Sequence, residues 1–66
     1  MENENEVVAI MKNMEGQFEE AAGDAVKFAE GNSSAGTRVR KAMQNIKNLA
    51  QTVRLEIQHQ KNGVTA

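Results

Sequence analysis

Apolar residues follow a heptad rhythm along the first half of the chain. They alternate in steps of four and three residues, at Val7, Met11, Met14, Phe18, Ala21, Ala25 and Phe28. This spacing places them along one side of an α-helix and is typical of a coiled-coil seam. The glutamates before Val7 favour the positive end of the helix dipole, and Gly31 can close the helix in the left-handed conformation. The pattern predicts a first helix over about residues 5–30.

The second half of the chain repeats the rhythm after a short polar cluster. Asn32, Ser33 and Ser34 are residue types that cap helices, and we expect one of the three to begin a second helix. Gly63 is a residue type that ends helices. The pattern predicts a loop over about residues 31–34 and a second helix over about residues 35–61. Its apolar positions again alternate in steps of four and three, at Ala35, Val39, Ala42, Ile46, Leu49 and Val53.

A short loop between two long helices makes the helices antiparallel neighbours. A chain of 66 residues is one domain at most, and a domain of this size buries only a small core. Both helices carry a second apolar edge beside the seam, formed by Val8, Ala22, Val26 and Ala29 on the first and by Met43, Ala50 and Ile57 on the second. We therefore predict an all-α fold over residues 1–66, a single antiparallel two-helix hairpin that dimerises into a four-helix bundle or coiled coil.

Charge is divided unevenly between the two halves of the chain. The formal net charge is -1 at pH 7. Residues 1–30 hold eight acids and two bases, which gives -6, whereas residues 31–66 hold six bases and one acid, which gives +5. This asymmetry indicates a charged partner, either outside the chain or within it.

The six bases of the second half recur at regular positions. Four of them are seven residues apart, so they form a basic stripe along one side of the second helix over about 30 Å. A line of cations on a rigid helix suits phosphate groups, because affinity for the DNA backbone comes from counterion release rather than from base contacts. No side-chain set typical of base readout accompanies it. The sequence predicts non-specific binding of duplex DNA through Arg38, Arg40, Lys41, Lys47, Arg54 and Lys61.

The same cations have an alternative partner inside the protein. In a hairpin the basic helix lies against the acidic one, so the stripe could instead pair with Glu6, Glu15, Glu19 or Glu20 at the seam. Under that alternative the protein is a helical dimerisation or protein-interaction module without significant DNA binding. Asp24 and Glu30 are the only acids expected near the loop, so we expect Arg38, Arg40 and Lys41 to be the free cations.

Other kinds of site find little support in the sequence. No apolar run approaches the ~20 residues that a membrane span needs, and no cysteine is present to form a disulfide or thiolate metal site. Glu56 and His59 share a helical face in a spacing that helical bundles use for metals, but a fraying helix end lies opposite, so no metal or cofactor is predicted. Ser33 and Ser34 have no histidine within reach, so no enzyme activity or small-molecule substrate is predicted.

The stretch GNSSAGTRVRKA resembles a motif of the linker-histone-like proteins of bacteria, the family of the chlamydial nucleoid histone and its short Bacteroidetes relatives. Their pattern is G-N, small residues, R-x-R-K-A and then a second helix. The matching positions are Gly31, Asn32, Ala35, Gly36, Arg38, Arg40, Lys41 and Ala42. The likeness continues with Leu49 and Arg54 to about Gln60, and the first helix matches in general character. The resemblance implies a small DNA-binding protein of the bacterial cytoplasm that is associated with the nucleoid and dimerises through its helical part.

Overall fold

Residues 4–64, which the computed structural model describes, form two α-helices. Helix α1 spans Glu6–Ala29 and helix α2 spans Ser33–Val64, with no strand among the described residues. The two helices pack against each other as an antiparallel hairpin, which confirms the predicted all-α hairpin, while its dimerisation stays a prediction. The expectation that Gly63 ends the second helix is wrong, because α2 continues through it. A glycine costs a helix about 1 kcal/mol relative to alanine and need not end it. Glu2, one of the acids counted above, lies outside the described residues.

Helix α1 begins at an end that is both capped and tied to α2. Asn5 has an extended backbone, and its Oδ1 accepts a hydrogen bond of 2.7 Å from the backbone N–H of Val7. The same amide pairs reciprocally with Gln60 of α2. Asn5 Nδ2 donates to Gln60 Oε1 at 2.8 Å, and Gln60 Nε2 donates to Asn5 Oδ1 at 3.0 Å. One side chain therefore serves as the helix cap and as a contact that sets the register at the open end of the hairpin.

The connection between the helices uses two caps in succession. Gly31 has φ 107°, and its N–H donates to Phe28 O at 3.0 Å while the N–H of Asn32 donates to Lys27 O at 3.0 Å. This pair of bonds is the Schellman motif, which satisfies the last carbonyls of a helix. The Oδ1 of Asn32 then accepts from the N–H of Ala35 at 3.1 Å. Of the three residues predicted to cap the second helix, Asn32 does so.

The core of the hairpin is a single thin seam. The Cα trace measures 54 × 23 × 11 Å, so its thickness is that of one layer of helices. Among the residues whose side chains the structure describes, only Ala21 and Ala35 are buried. Seven heptad positions are half-buried: Val7, Met14, Val39, Ala42, Ile46, Leu49 and Val53. Four others that the heptad assigned to the seam are exposed: Met11, Phe18, Ala25 and Phe28. One partner helix covers only one side of so wide an apolar stripe.

The uncovered side of the hairpin is an open apolar face. An apolar groove between the helices runs along it, lined in part by Met14, Phe18 and Ile46. The large side chains that this face exposes are Val8 (44%), Met11 (55%), Phe18 (61%), Val26 (59%), Met43 (39%) and Ile57 (40%). Their helical spacing places them on the same side of their helices. A single hairpin thus leaves most of its large apolar side chains in water.

Near the loop, the ring of Phe28 lies against the backbone of Gly36. A Cβ on Gly36 would stand 2.6 Å from Phe28 Cδ1 and 2.8 Å from Cε1. Such distances are too short for carbon atoms, so the ring in this position requires glycine. A Cβ on Gly16 or Gly23 would meet nothing within 4 Å. Close approach to a neighbour thus explains one helical glycine, Gly36, and neither of these two.

Candidate nucleic-acid interface

The hairpin distributes the six basic residues of α2 over two faces. All six are exposed. Arg38 and Lys41 line a groove on the side opposite to the open apolar face, which we call the polar face: Gln17, Glu20, Asp24, Arg38, Lys41 and Asn45. Arg40 instead lines a groove with Phe28 and Val39 on the open apolar face. Lys47, Arg54 and Lys61 follow Arg40 at intervals of seven residues along that side of α2. The structure therefore brings Arg38 and Lys41 together and separates them from the stripe.

Arg38 is paired with Asp24 of α1. Its Nε lies 3.1 Å and its Nη2 3.0 Å from Asp24 Oδ1. The hydrogen bond from Arg38, with the charge of the guanidinium, lowers the pKa of Asp24, and the same bond raises the pKa of Arg38. The expectation that Arg38 is a free cation is wrong, because the antiparallel register sets Asp24 beside the second turn of α2. Half of the Arg38 side chain still remains exposed to solvent.

The other basic residues of α2 have no such partner within residues 4–64. No carboxylate of the described chain forms an ion pair with Arg40, Lys41, Lys47, Arg54 or Lys61. The proposed seam pairs with the glutamates of α1 are therefore not made inside one hairpin. The stripe lies on the outer side of α2, beyond the apolar row, where the acids of its own α1 are out of reach.

Acidic side chains nevertheless share the polar face with the cations. Glu20 and Asp24 line the same groove as Arg38 and Lys41. Lys12 lies outside this face, in the lining of the apolar groove, where its Nζ is 2.7 Å from Glu4 Oε2 and the hydrogen bond with Glu4 raises the pKa of Lys12. The polar face thus carries charges of both signs, and a polyanion that approaches Arg38 and Lys41 has two carboxylates as neighbours.

Within residues 4–64 the structure shows neither a metal cluster nor a membrane span. Glu56 accepts a hydrogen bond of 3.0 Å from Gln60 Nε2. No group of three or more His, Asp or Glu side chains in the described chain is placed to hold a metal ion. Neither α1 nor α2 combines the length and apolar character of a membrane-crossing helix. Sequence reasoning named Asp24 only as a neighbour of the loop and did not find the Asn5–Gln60 pair, because both contacts depend on the register between the helices.

A comparison with protein families identifies the family of this chain. The model of the family described as histone H1-like protein Hc1 matches residues 9–63. Searches of curated proteins and of solved structures find no match. The matched range includes all six basic residues of α2 and most of α1, so the likeness extends well beyond the motif that begins at Gly31. The chain belongs to the histone H1-like protein Hc1 family.

Proposed function

We propose that this protein is a homodimer that binds duplex DNA in the bacterial nucleoid without sequence preference, through phosphate contacts. Membership of the histone H1-like family supports a nucleoid DNA-binding role in general. One observation carries the finer proposal: Arg40 and Lys41, at the loop end of α2, are exposed and have no carboxylate partner in the described chain. Cations of this kind release the counterions of a nucleic acid at little cost to the fold.

The proposed DNA contacts differ in importance along α2. The main contacts lie at the loop end of α2, with Arg38 and Lys41 on the polar face and Arg40 on the side of the open apolar face. Lys47, Arg54 and Lys61 extend these contacts along the helix. A rigid helix holds these cations at fixed positions without presenting a base-reading set to the groove, so the contacts position the protein and do not specify a sequence.

Arg38 reaches DNA by exchanging partners. It gives up Asp24 Oδ1 for a phosphate oxygen, which accepts the same guanidinium hydrogen bonds with a similar geometry. The half-exposed side chain needs no opening of the helix pair for this exchange. Asp24 therefore competes with the phosphate and sets how much Arg38 adds to the affinity.

A salt titration of DNA binding tests the proposal. Fluorescence anisotropy with a mixed-sequence duplex at several salt concentrations should give an affinity that falls steeply as salt rises. Changing Arg38, Arg40 and Lys41 together to Ala should reduce the slope of log K against log salt by about 0.9 for each phosphate that the variant no longer neutralises. Lys27→Ala on α1 is the control, since it also removes an exposed cation but lies outside the proposed contacts. A slope that the triple variant leaves unchanged would reject these residues as the site.

A second candidate function is a helical interaction module without significant DNA affinity. The mixed charge of the polar face favours it, because Asp24 already neutralises Arg38 there. Absence of binding even at low salt would support this candidate and contradict the DNA proposal.

A further inference from the structure

The open apolar face has an acidic border on α1. Glu15 lines the apolar groove and lies one helical turn beyond Met11, on the side of α1 away from α2. Glu19 follows one turn later on the same border. Both carboxylates are exposed and make no ion pair within the described residues. Lys12 lines the same groove near Glu15, but its ammonium group is paired with Glu4, so this border keeps its negative charge.

The border of the same face on α2 is basic. Three of the four cations of the stripe stand four residues after a residue of the second apolar edge of α2: Lys47 after Met43, Arg54 after Ala50 and Lys61 after Ile57. Four residues advance a helix by slightly more than one turn, and on α2 the extra rotation moves each cation away from α1. Across its width, the open face therefore carries unpaired acids together with Val8 and Val26 on its α1 side, the apolar row in its middle and cations on its α2 side.

The register of the hairpin decides which charges are level with each other. Asn5 contacts Gln60 at one end and Asp24 contacts Arg38 near the other. Interpolation between these contacts places Glu15 level with the turn of α2 that carries Lys47. Within one chain the apolar row lies between these two side chains, and they form no ion pair.

We propose that a second copy of this chain covers the open apolar face with its twofold axis parallel to the helices, so that both loops lie at the same end. This orientation rests on the homodimer of the proposed function. A rotation about that axis places the acidic border of one copy opposite the basic border of the other. It leaves the position of every residue along the helix direction unchanged. The partner's Glu15 then meets Lys47, the partner's Lys47 meets Glu15, and the two apolar rows meet between them.

The competing closed arrangement has its axis across the helices and its loops at opposite ends. It stacks α1 on α1 and α2 on α2, so that the acidic borders face each other and the basic borders face each other. Charges that flank an apolar helix seam select partner orientation, and like charges placed opposite disfavour the arrangement that contains them. Charge complementarity therefore favours a second copy of the chain as the partner of the open apolar face. It also favours the orientation in which both loops lie at the same end.

This orientation changes how the dimer meets DNA. Arg38 and Lys41 lie on the polar face, away from the contact, so both copies present these cations at one end of the dimer. Lys47 faces the partner's Glu15, which competes with phosphate for it, so Lys47 is the weakest of the proposed DNA contacts. Lys47→Ala should therefore alter the salt dependence of DNA binding less than Lys41→Ala does.

Distances between spin labels distinguish the two orientations. The chain has no cysteine, so Ser34→Cys, at an exposed position near the loop, gives one label per chain. Pulsed electron paramagnetic resonance should give a distance of about 30 Å with loops at the same end, and about 45 Å or more with loops at opposite ends, because α1 alone is about 36 Å long. His59→Cys at the other end of the hairpin should again give the shorter distance.

Charge exchange tests the pairing itself. Glu15→Lys and Lys47→Glu should each weaken the dimer by on the order of tenfold in Kd, and the two together should restore it. Lys41→Glu is the matched control, because it makes the same charge change on the polar face and should leave the dimer unchanged. Sedimentation equilibrium measures the Kd.

Each contrary result has a separate meaning. A chain that stays monomeric at all concentrations overturns the homodimer of the proposed function, whereas DNA binding is judged by its own titration. A dimer with the long distance at Ser34 overturns the orientation alone. A short distance without rescue in the double variant overturns the Glu15–Lys47 pairing.

Discussion

Asp24 of α1 holds Arg38 of α2 through a single carboxylate oxygen, with Nε at 3.1 Å and Nη2 at 3.0 Å from Oδ1. The contact joins the two helices next to the loop and engages the first arginine of the R-x-R-K-A motif. Arg40 and Lys41, which complete the motif, have no such partner in the described chain. Within the motif, Arg38 is therefore already paired inside the hairpin, whereas Arg40 and Lys41 are available to bind a polyanion.

Removing the Asp24 carboxylate should strengthen DNA binding. Asp24→Asn releases Arg38 for phosphate, so the slope of log K against log salt should become steeper by up to about 0.9. The measurement is a salt titration by fluorescence anisotropy. Glu30→Gln is the control, since it removes one negative charge near the loop from a residue that has no ion pair in the described chain. Equal changes in both variants would indicate a general effect of net charge and would contradict a specific competition between Asp24 and phosphate.

The ion pair should also appear in the pH dependence of stability. Arg38 lowers the pKa of Asp24 by hydrogen bonding and charge, so the folded state favours the ionised carboxylate. This contribution is fully present above the ordinary aspartate pKa of about 4 and is lost as the pH falls through the lowered pKa. The difference in unfolding free energy between the parent protein and Asp24→Asn should therefore shrink on acidification. Carboxyl NMR should show the pKa of Asp24 rising toward its ordinary value in Arg38→Gln; an unchanged pKa would mean that the ion pair does not persist in solution.

Two glycine substitutions should differ in their effect on stability. Gly23→Ala adds a methyl group where nothing lies within 4 Å, so the better helix propensity of alanine should stabilise the fold by about 1 kcal/mol. Gly36→Ala has the same gain in propensity, but its Cβ would stand 2.6 Å from Phe28 Cδ1 and must displace the ring. Its net stabilisation should be smaller or negative in urea unfolding. Similar gains in the two variants would show that the ring moves aside without cost.

Asn5 should contribute more to the free energy of unfolding than its partner Gln60. Asn5→Ala removes the N-cap of α1, which costs about 1 kcal/mol, and also removes the reciprocal amide pair. Gln60→Ala removes the amide pair and leaves the cap. Urea unfolding of both single variants and the double variant should give unequal single losses and a double loss smaller than their sum. Strict additivity would indicate that the two amides do not interact.

The heptad rhythm was sufficient to predict two helices and their antiparallel packing. Helical period, caps and a glycine stop are properties of short segments, so they can be judged without knowing what lies across the seam. The same locality explains the errors. Phe18 and Phe28 belong to the heptad but remain exposed, because one neighbouring helix is too narrow to cover the whole stripe of apolar residues.

The candidate site was predictable in its residues and not in its arrangement. Spacing placed Arg40, Lys47, Arg54 and Lys61 on one side of α2, and the motif added Arg38 and Lys41. Which of these cations would meet an acid depended on the register between α1 and α2, and that register comes from contacts between residues far apart in the chain.

The sequence by itself determined the helices, the asymmetry of charge and the likeness to histone H1-like proteins, because each of these depends on residues that lie close together along the chain. Only the tertiary structure decided that Arg38 meets Asp24, that Gly36 lies beneath Phe28, and that the basic stripe borders an apolar face rather than the acids of its own chain. The physical reason is that a pair of packed helices brings together residues up to 55 positions apart, as in Asn5 and Gln60, and a shift of one turn would exchange every such partner.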